Sequence, residues 1–212
     1  FRAAGKRIRA LSRATDSLTI DERIERITAI FGKFKNPDKE TVLTPWRVVN
    51  MHIGNCLGGY VFFDDKFENT TLEPRYIEQD KVTEEVYNTD TYILEINSKS
   101  GLYPLFMAYS VYRNAIKIAY PEKEYNELTV KEQLKIWDKV VANNVCKTPM
   151  AKSITKRTLV GFRDVAVNTR YFEDLVHQIT DRPDKFIEKI RKGKTYRKAN
   201  NNNDMKFNAI VG

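Results

Sequence analysis

A short segment in the middle of the chain combines a carboxylate, small polar side chains and a glycine. Glu95 ends an apolar run, Asn97, Ser98 and Ser100 follow it, and Gly101 closes the segment. A carboxylate here can accept hydrogen bonds from an ammonium group or bound water, and the glycine lets a nucleotide-like ligand approach the backbone. The chain contains neither G-x-G-x-x-G nor G-x-x-x-x-G-K-(S/T), so the sequence disfavours a dinucleotide or a nucleoside triphosphate.

This segment lies between two elements that would position it in an α/β fold. Thr91–Ile96 is short, apolar and rich in β-branched and aromatic residues, which predicts a buried strand. Pro104–Ala119 has the composition of a buried helix. A strand, a small-residue turn and a helix in this order are typical of the opening of a doubly wound α/β unit. Further strands are predicted at Val145–Cys146, where only a very short one fits, and at Phe207–Val211.

Amphipathic and capped segments predict the remaining helices. Asp21–Phe34 places isoleucines at three-residue spacing on one face. Thr44 offers a capping hydroxyl and Pro45 follows at the first helical position, which predicts a helix from there to about Leu57. The turn-rich stretch Asp64–Thr89 predicts an insertion or a mobile loop. Four more helices are predicted: Leu128–Asn143, Pro149–Leu159, Tyr171–Ile179 and Pro183–Arg191.

Length and composition fit one compact domain of ordinary size, with 212 residues of which 42% are hydrophobic and 30% charged. No apolar run approaches the roughly 20 residues of a membrane-spanning helix, and no signal peptide is recognisable. The two cysteines and two histidines are far apart, so no disulfide framework and no structural zinc site are expected. The expected compartment is the cytoplasm. The start at Phe1 and the end within an apolar run predict a piece of a longer protein.

The net charge of +8 and the isoelectric point near 9.3 favour a polyanionic partner. Basic residues concentrate at the two ends: Phe1–Arg13 has five of them and no acid, and a second basic block runs over Arg182–Lys206. The stretch Asp64–Asp90 is acidic and would be repelled by phosphate groups. Two interpretations of the basic blocks stay open, a solvated surface and helices that grip duplex phosphate in a sequence-independent way.

Four segments together resemble the N6-adenine DNA methyltransferases of restriction-modification systems, including type I modification subunits and fused type II enzymes. Thr44–Val49 is similar to the family's T-P-x-x-(V/L)-V segment, and Leu94–Gly101 to L-(D/E)-P-x-x-G-(S/T)-G. Asn144–Leu159 resembles the second cofactor strand and its helix. Met205–Gly212 matches the strand F-D-x-I-(I/V)-G that precedes the catalytic N-P-P-(Y/F) in this family. The segments stand in the family's order.

The resemblance implies a partial Rossmann-like domain of the class I methyltransferase type, over residues 44–212, after an amino-terminal helical segment, 1–43. It implies S-adenosylmethionine as cofactor, double-stranded DNA as substrate, and nuclease, helicase or specificity domains as partners. It also implies that Asn-Pro-Pro follows Gly212 and that this piece alone is catalytically inert. The implied cofactor contacts are Thr44, Pro45, Glu95, Asn97, Ser98, Ser100, Gly101, Cys146 and Thr148.

Alternatives to an enzyme and to these roles stay open. The chain is also compatible with a noncatalytic DNA-binding or scaffolding module of a restriction-modification protein. Cys146 stands where the family has an acid, and the residue is compatible with a nucleophile or with a small buried hydrophobe. His52 is interpreted as a hydrogen-bonded, partly buried histidine, and Tyr109 as a core residue.

Overall fold

A computed structural model describes residues 2–34, 43–90, 93, 95, 98–142, 149–167, 169 and 175–191. Within these ranges the chain forms helices, one short 3-10 turn at Tyr125–Glu127 and a pair of strands. The helices are α1 (Arg2–Arg13), α2 (Ile20–Phe31), α3 (Trp46–Cys56), α4 (Asp80–Val86), α5 (Leu102–Ala119), α6 (Val130–Val141), α7 (Pro149–Val160), α8 (Leu175–Asp181) and α9 (Pro183–Arg191). The strands are β1 (Gly59–Phe63) and β2 (Thr70–Ile77).

Helix α5 is the central element of the described fold. Leu105, Tyr109 and Tyr112 share one face of the helix and are at most 1% exposed, and Phe106, Ala108 and Val111, which lie on its other sides, are also buried. Helices α3, α6 and α7 and strand β1 all contact it. A helix that is apolar on most sides must be covered on most sides, which is why the chain folds around α5. The sequence-based prediction of a buried helix is confirmed, as is the core position of Tyr109.

The two strands form an antiparallel hairpin, with Gly59 opposite Ile77 and a bulge between Val61 and Phe63. The edge of β1 that does not pair with β2 is hydrogen-bonded to side chains of two helices. The Tyr60 backbone N–H donates to Ser110 Oγ of α5 at 3.1 Å, and the Phe62 N–H donates to Asn50 Oδ1 of α3 at 2.9 Å. These bonds satisfy donors that a third strand would otherwise take up. The prediction of a loop over Asp64–Thr89 is wrong, since β2 and α4 lie within it.

The described part of the chain is therefore a mixed helix and strand structure with a small two-stranded sheet. Of the predicted strand Thr91–Ile96, the structure describes only Ile93 and Glu95, and neither is in a strand. The predicted strands Val145–Cys146 and Phe207–Val211 lie outside the described residues. A parallel, Rossmann-like sheet accordingly stays a prediction.

Side-chain caps mark the starts of two of the described helices. Thr19 and Glu22 form a capping box at the start of α2, and Thr129 and Glu132 form another at the start of α6. The predicted start of α3 is wrong by one position, because Pro45 is the N-cap itself and its carbonyl accepts from the Val49 N–H at 3.1 Å. Helix α9 has its predicted bounds, and α8 is described from residue 175 onward. None of the described helices combines the length and apolar character needed to cross a bilayer.

A buried arginine joins the amino-terminal helices to α7. The Arg23 side chain is 1% exposed. Its Nη1 donates to Thr15 Oγ1 at 2.8 Å and forms an ion pair with Asp16 at 3.2 Å. Its Nη2 donates to the carbonyl oxygens of Arg157 and Thr158, both at 3.3 Å. We call these five residues the Arg23 cluster. The proposed boundary between residues 43 and 44 stays a prediction, although this cluster bonds helices on both sides of it.

A second polar group is buried where α2 meets α5. The Tyr109 hydroxyl donates to the Asp21 carboxylate, and Arg113 Nη1 donates to the Tyr109 oxygen at 2.8 Å. Burial raises the pKa of Asp21 above its usual value, in spite of opposing contributions from Tyr109 and Arg113. Because the folded state then binds this proton more tightly than the unfolded state, the stability due to Asp21 protonation is present at low pH.

We expect the Asp21→Asn variant to lose this pH dependence. As the pH rises from the unfolded-state pKa of 3.8 through the raised folded-state pKa, the native protein loses stability and the variant does not. The free energy of unfolding of the variant minus that of the native protein should therefore increase with pH and then level off. Urea unfolding of both proteins at a series of pH values measures this difference. A difference that is constant or decreases with pH would contradict the raised pKa.

Candidate functional site

The polar loop at residues 98–101 packs against helix α7. Ser98 Oγ and Thr155 Oγ1 are 2.7 Å apart and hydrogen-bonded, and Thr158 Oγ1 donates to the Ser100 carbonyl at 2.6 Å. Gly101 has a φ of +80°, and a Cβ there would lie 2.9 Å from the Thr155 Cα. Both serine side chains are buried. This loop therefore fastens the start of α5 to α7, and the glycine permits both the turn and the close approach.

A histidine of α3 contacts a tyrosine at the start of α5, and a carboxylate lies close enough for its charge to act on that tyrosine. His52 Nδ1 and the Tyr103 hydroxyl are 3.1 Å apart, and their rings lie edge to face with centroids 5.9 Å apart. Glu95 is half-buried, and its charge acts on Tyr103. Burial raises the pKa of Tyr103, with smaller contributions from the negative charge of Glu95 and from Cys56. We call His52, Glu95 and Tyr103 the α3–α5 corner.

The α3–α5 corner offers both acceptors and a donor. The Glu95 carboxylate can accept hydrogen bonds from a positively charged group. The Tyr103 hydroxyl keeps its proton at neutral pH, as any tyrosine with an ordinary or raised pKa does, and it can donate. The face of its ring is electron-rich and attracts cations. This combination suits a small ligand with a cationic end. Within the described residues, no group of three His, Cys, Asp or Glu side chains is arranged to hold a metal ion.

The structure places the nine predicted contacts in different surroundings. Ser98, Ser100 and Gly101 share the loop on α7, with Glu95 just before it in the chain. Thr44 and Pro45 precede α3, at the end of that helix remote from Cys56. Asn97, Cys146 and Thr148 lie outside the described residues. All nine stay predictions as cofactor contacts.

Two residues of the α3–α5 corner were not among the predicted contacts. His52 has a hydrogen-bond partner, as expected, but the interpretation of it as partly buried is wrong, because it is exposed on α3. Tyr103 stands two positions after Gly101, within the first turn of α5. The available signal was this position, since a side chain in the first turn of a helix lies beside the loop that precedes it.

Comparison with curated proteins and with solved structures gives no match. Residues 143–212, about a third of the chain, match the family model described as Eco57I restriction-modification methylase. The matched range includes α7, the helix that holds the 98–101 loop, and also α8 and α9. The carboxyl-terminal third of this chain is therefore similar to the restriction-modification methylases, which supports a methyltransferase of that kind.

Proposed function

We propose that this chain contributes the S-adenosylmethionine site of a restriction-modification methyltransferase that methylates the N6 amine of adenine in duplex DNA. One observation carries the proposal. The loop that resembles the first cofactor motif is hydrogen-bonded, through Ser98 and Ser100, to a helix within the segment that matches the methylase family. A motif resemblance and a family match in separate parts of the chain thus meet at one place in the fold.

The donor set at the α3–α5 corner fits this cofactor. Glu95 would accept hydrogen bonds from its ammonium group or ribose hydroxyls, and Tyr103 would offer a hydroxyl proton and an aromatic face to its cationic end. His52 would hold the Tyr103 ring in place, since the two side chains are hydrogen-bonded. Ser98 and Ser100 would hold the loop that follows Glu95 against α7. When bound, S-adenosylmethionine supplies the methyl group.

The groups that would hold a flipped adenine are not assigned to this chain. Methylation of the amine needs a base extruded from the duplex and acceptors that position its amino group. In the resembled family these come from the N-P-P-(Y/F) turn, and no such run occurs in the 212 residues. Methyl transfer is accordingly tested on the full-length gene product, with tritiated cofactor and adenine-containing duplex DNA.

We expect Glu95→Ala to weaken S-adenosylmethionine binding by about 10- to 100-fold, the range for a lost hydrogen bond to a charged group. Titration calorimetry on the full-length gene product measures this loss. Glu68→Ala is the matched control, because Glu68 is an exposed acid in the turn between the two strands. The control should bind as the native protein does. Equal affinities for both variants would remove Glu95 from the site.

A noncatalytic DNA-binding or scaffolding module is the second candidate. The Ser98 and Ser100 side chains are buried against α7, which favours this candidate because buried side chains are not available to contact a ligand. Lys99 also stands in this loop where the resembled family has glycine. This candidate predicts that the native protein binds duplex DNA but neither binds S-adenosylmethionine nor transfers a methyl group. The calorimetry described above therefore separates the two.

A further inference from the structure

Helix α1 carries a row of exposed cations on one face. Lys6, Arg9 and Arg13 follow one another at spacings of three and four residues, which puts them on the same side of the helix. All three side chains are exposed. The apolar residues Ile8 and Leu11 line a cleft against α2 instead. The helix contains no acidic residue, so none of its cations is neutralised within it.

The row continues onto the carboxyl end of α7. The guanidinium groups of Arg13 and Arg157 both lie over the ring of Phe162, at 5.0 and 4.4 Å from its centroid. Arg157 Nη1 also donates to the Gly161 carbonyl at 2.8 Å. One aromatic ring thus holds two exposed like charges at fixed positions. We call Lys6, Arg9, Arg13 and Arg157 the basic stripe.

The basic stripe has no counter-charge of its own. Asp16 follows α1 directly, but its carboxylate is taken up by Arg23 and by the Phe162 backbone N–H at 3.1 Å. Among the residues that the structure describes, no acid forms an ion pair with any of the four cations. Neighbouring like charges repel one another and raise the local positive potential, which a polyanion relieves.

We propose that the basic stripe binds the phosphate backbone of duplex DNA. The choice of duplex DNA as the polyanion rests on the proposed function. Lys6 and Arg13 are seven residues apart on the helix, a distance of about 10 Å along its axis. At a rise of about 3.4 Å per phosphate, this length spans roughly three phosphates of one strand. Because phosphate contacts carry no base information, the stripe binds independently of sequence and leaves recognition to other residues.

The triple variant Lys6→Gln, Arg9→Gln, Arg13→Gln tests the stripe. Fluorescence anisotropy with a labelled duplex of random sequence gives the affinity over a series of salt concentrations. Each lost phosphate contact makes the slope of log K against log salt concentration less steep by about 0.9. The slope for the triple variant should therefore be less steep than that of the native protein by about 2.7. Its affinity near 0.1 M salt should fall at least tenfold.

A second triple variant on another helix is the matched control. Lys131, Lys135 and Lys139 are exposed along α6, and replacing them with Gln changes the net charge by the same amount. The control should keep at least half the native salt dependence and affinity. Equal losses in both variants would mean that net charge alone acts, and would overturn the stripe. The variant Lys6→Gln, Arg9→Gln leaves the Phe162 stack intact and should lose about 1.8 of the steepness.

Two further measurements separate this proposal from its alternatives. Binding of duplex RNA of the same sequence more than tenfold tighter than duplex DNA would overturn the assignment of the partner. Calorimetry with S-adenosylmethionine on the same variants reports on the other site, which should be unaffected. A native protein that shows the stripe-dependent DNA binding but binds no S-adenosylmethionine would support the stripe and reject the proposed function. If the protein binds S-adenosylmethionine and the triple variant binds DNA as tightly as the native protein does, the proposed function is supported and the stripe is rejected.

Discussion

Replacing Arg23 with methionine is expected to lower the free energy of unfolding by about 3–5 kcal/mol, the usual cost of breaking a buried ion pair from one side. Methionine fills most of the volume, but it donates no hydrogen bond. Asp16 would then lose its cationic partner, and the carbonyls of Arg157 and Thr158 would lose the donor that caps the end of α7. Each polar group left unpaired in a buried place costs further stability.

Urea unfolding of Arg23→Met beside Arg26→Met measures this effect. Arg26 lies on the same helix three residues later and is exposed, so its replacement should change the stability by less than about 0.5 kcal/mol. A loss below about 1 kcal/mol for Arg23→Met would show that the guanidinium group contributes little to the contact between α2 and α7.

Replacing Gly101 with alanine is expected to cost about 2–5 kcal/mol. Part of this comes from the left-handed backbone at φ +80°, which is unfavourable for a residue with a Cβ by about 1–2 kcal/mol. The remainder is overpacking, about 1–3 kcal/mol, since the new methyl group would lie 2.9 Å from the Thr155 Cα on the α7 backbone. Either α7 or the start of α5 must move.

Gly5→Ala is the control for this substitution. Gly5 lies within α1, where a Cβ would meet no atom within 4 Å. Alanine there should leave the stability unchanged or raise it by about 0.5–1 kcal/mol, because it favours the helix. Thermal unfolding of the two variants gives the comparison. Equal stabilities would mean that the 98–101 loop does not depend on close contact with α7.

Helices with a strong local signal could be predicted from the sequence. The α5 helix follows from its nearly continuous apolar composition, and the starts predicted at Asp21 and Leu128 lie within two positions of those of α2 and α6, each of which a threonine and a glutamate three residues later cap. These signals are contained within a dozen or so neighbouring residues, so no knowledge of distant contacts is needed. The bounds of α9 could be predicted in the same way from Pro183 at its first position.

Strand β2 could not be predicted because its structure depends on a distant partner. Its side chains are all exposed or only partly buried, its sequence shows no clear alternation of apolar and polar residues, and Pro74, a residue unfavourable in strands, lies within it. What makes it a strand is pairing with β1. The acidic composition of the surrounding stretch suggested a loop instead.

The candidate site was predicted in part. The polar loop around Gly101 could be found from residue types, but the burial of Ser98 and Ser100 could not, because the sequence gives no distance between this loop and α7. Tyr103 and His52 were missed for the same reason, since they belong to helices that lie far apart in the chain. Residue types indicate possible chemistry, but packing between elements decides which of them are free to use it.

The Arg23 cluster also bears on how genes of this kind can recombine. The arginine and the carbonyls that it binds are 134 and 135 positions apart in the chain. A crossover that exchanged residues 2–34 with those of a diverged relative would place a foreign helix pair against an unaltered α7. Arg23 and Asp16 would move together, and their partners at α7 are backbone groups, so a chimera would keep these bonds wherever the relative also has this arginine and acid. Side-chain changes at residues 157 and 158 would leave the bonds from Arg23 in place, because only the backbone carbonyls of these residues accept them.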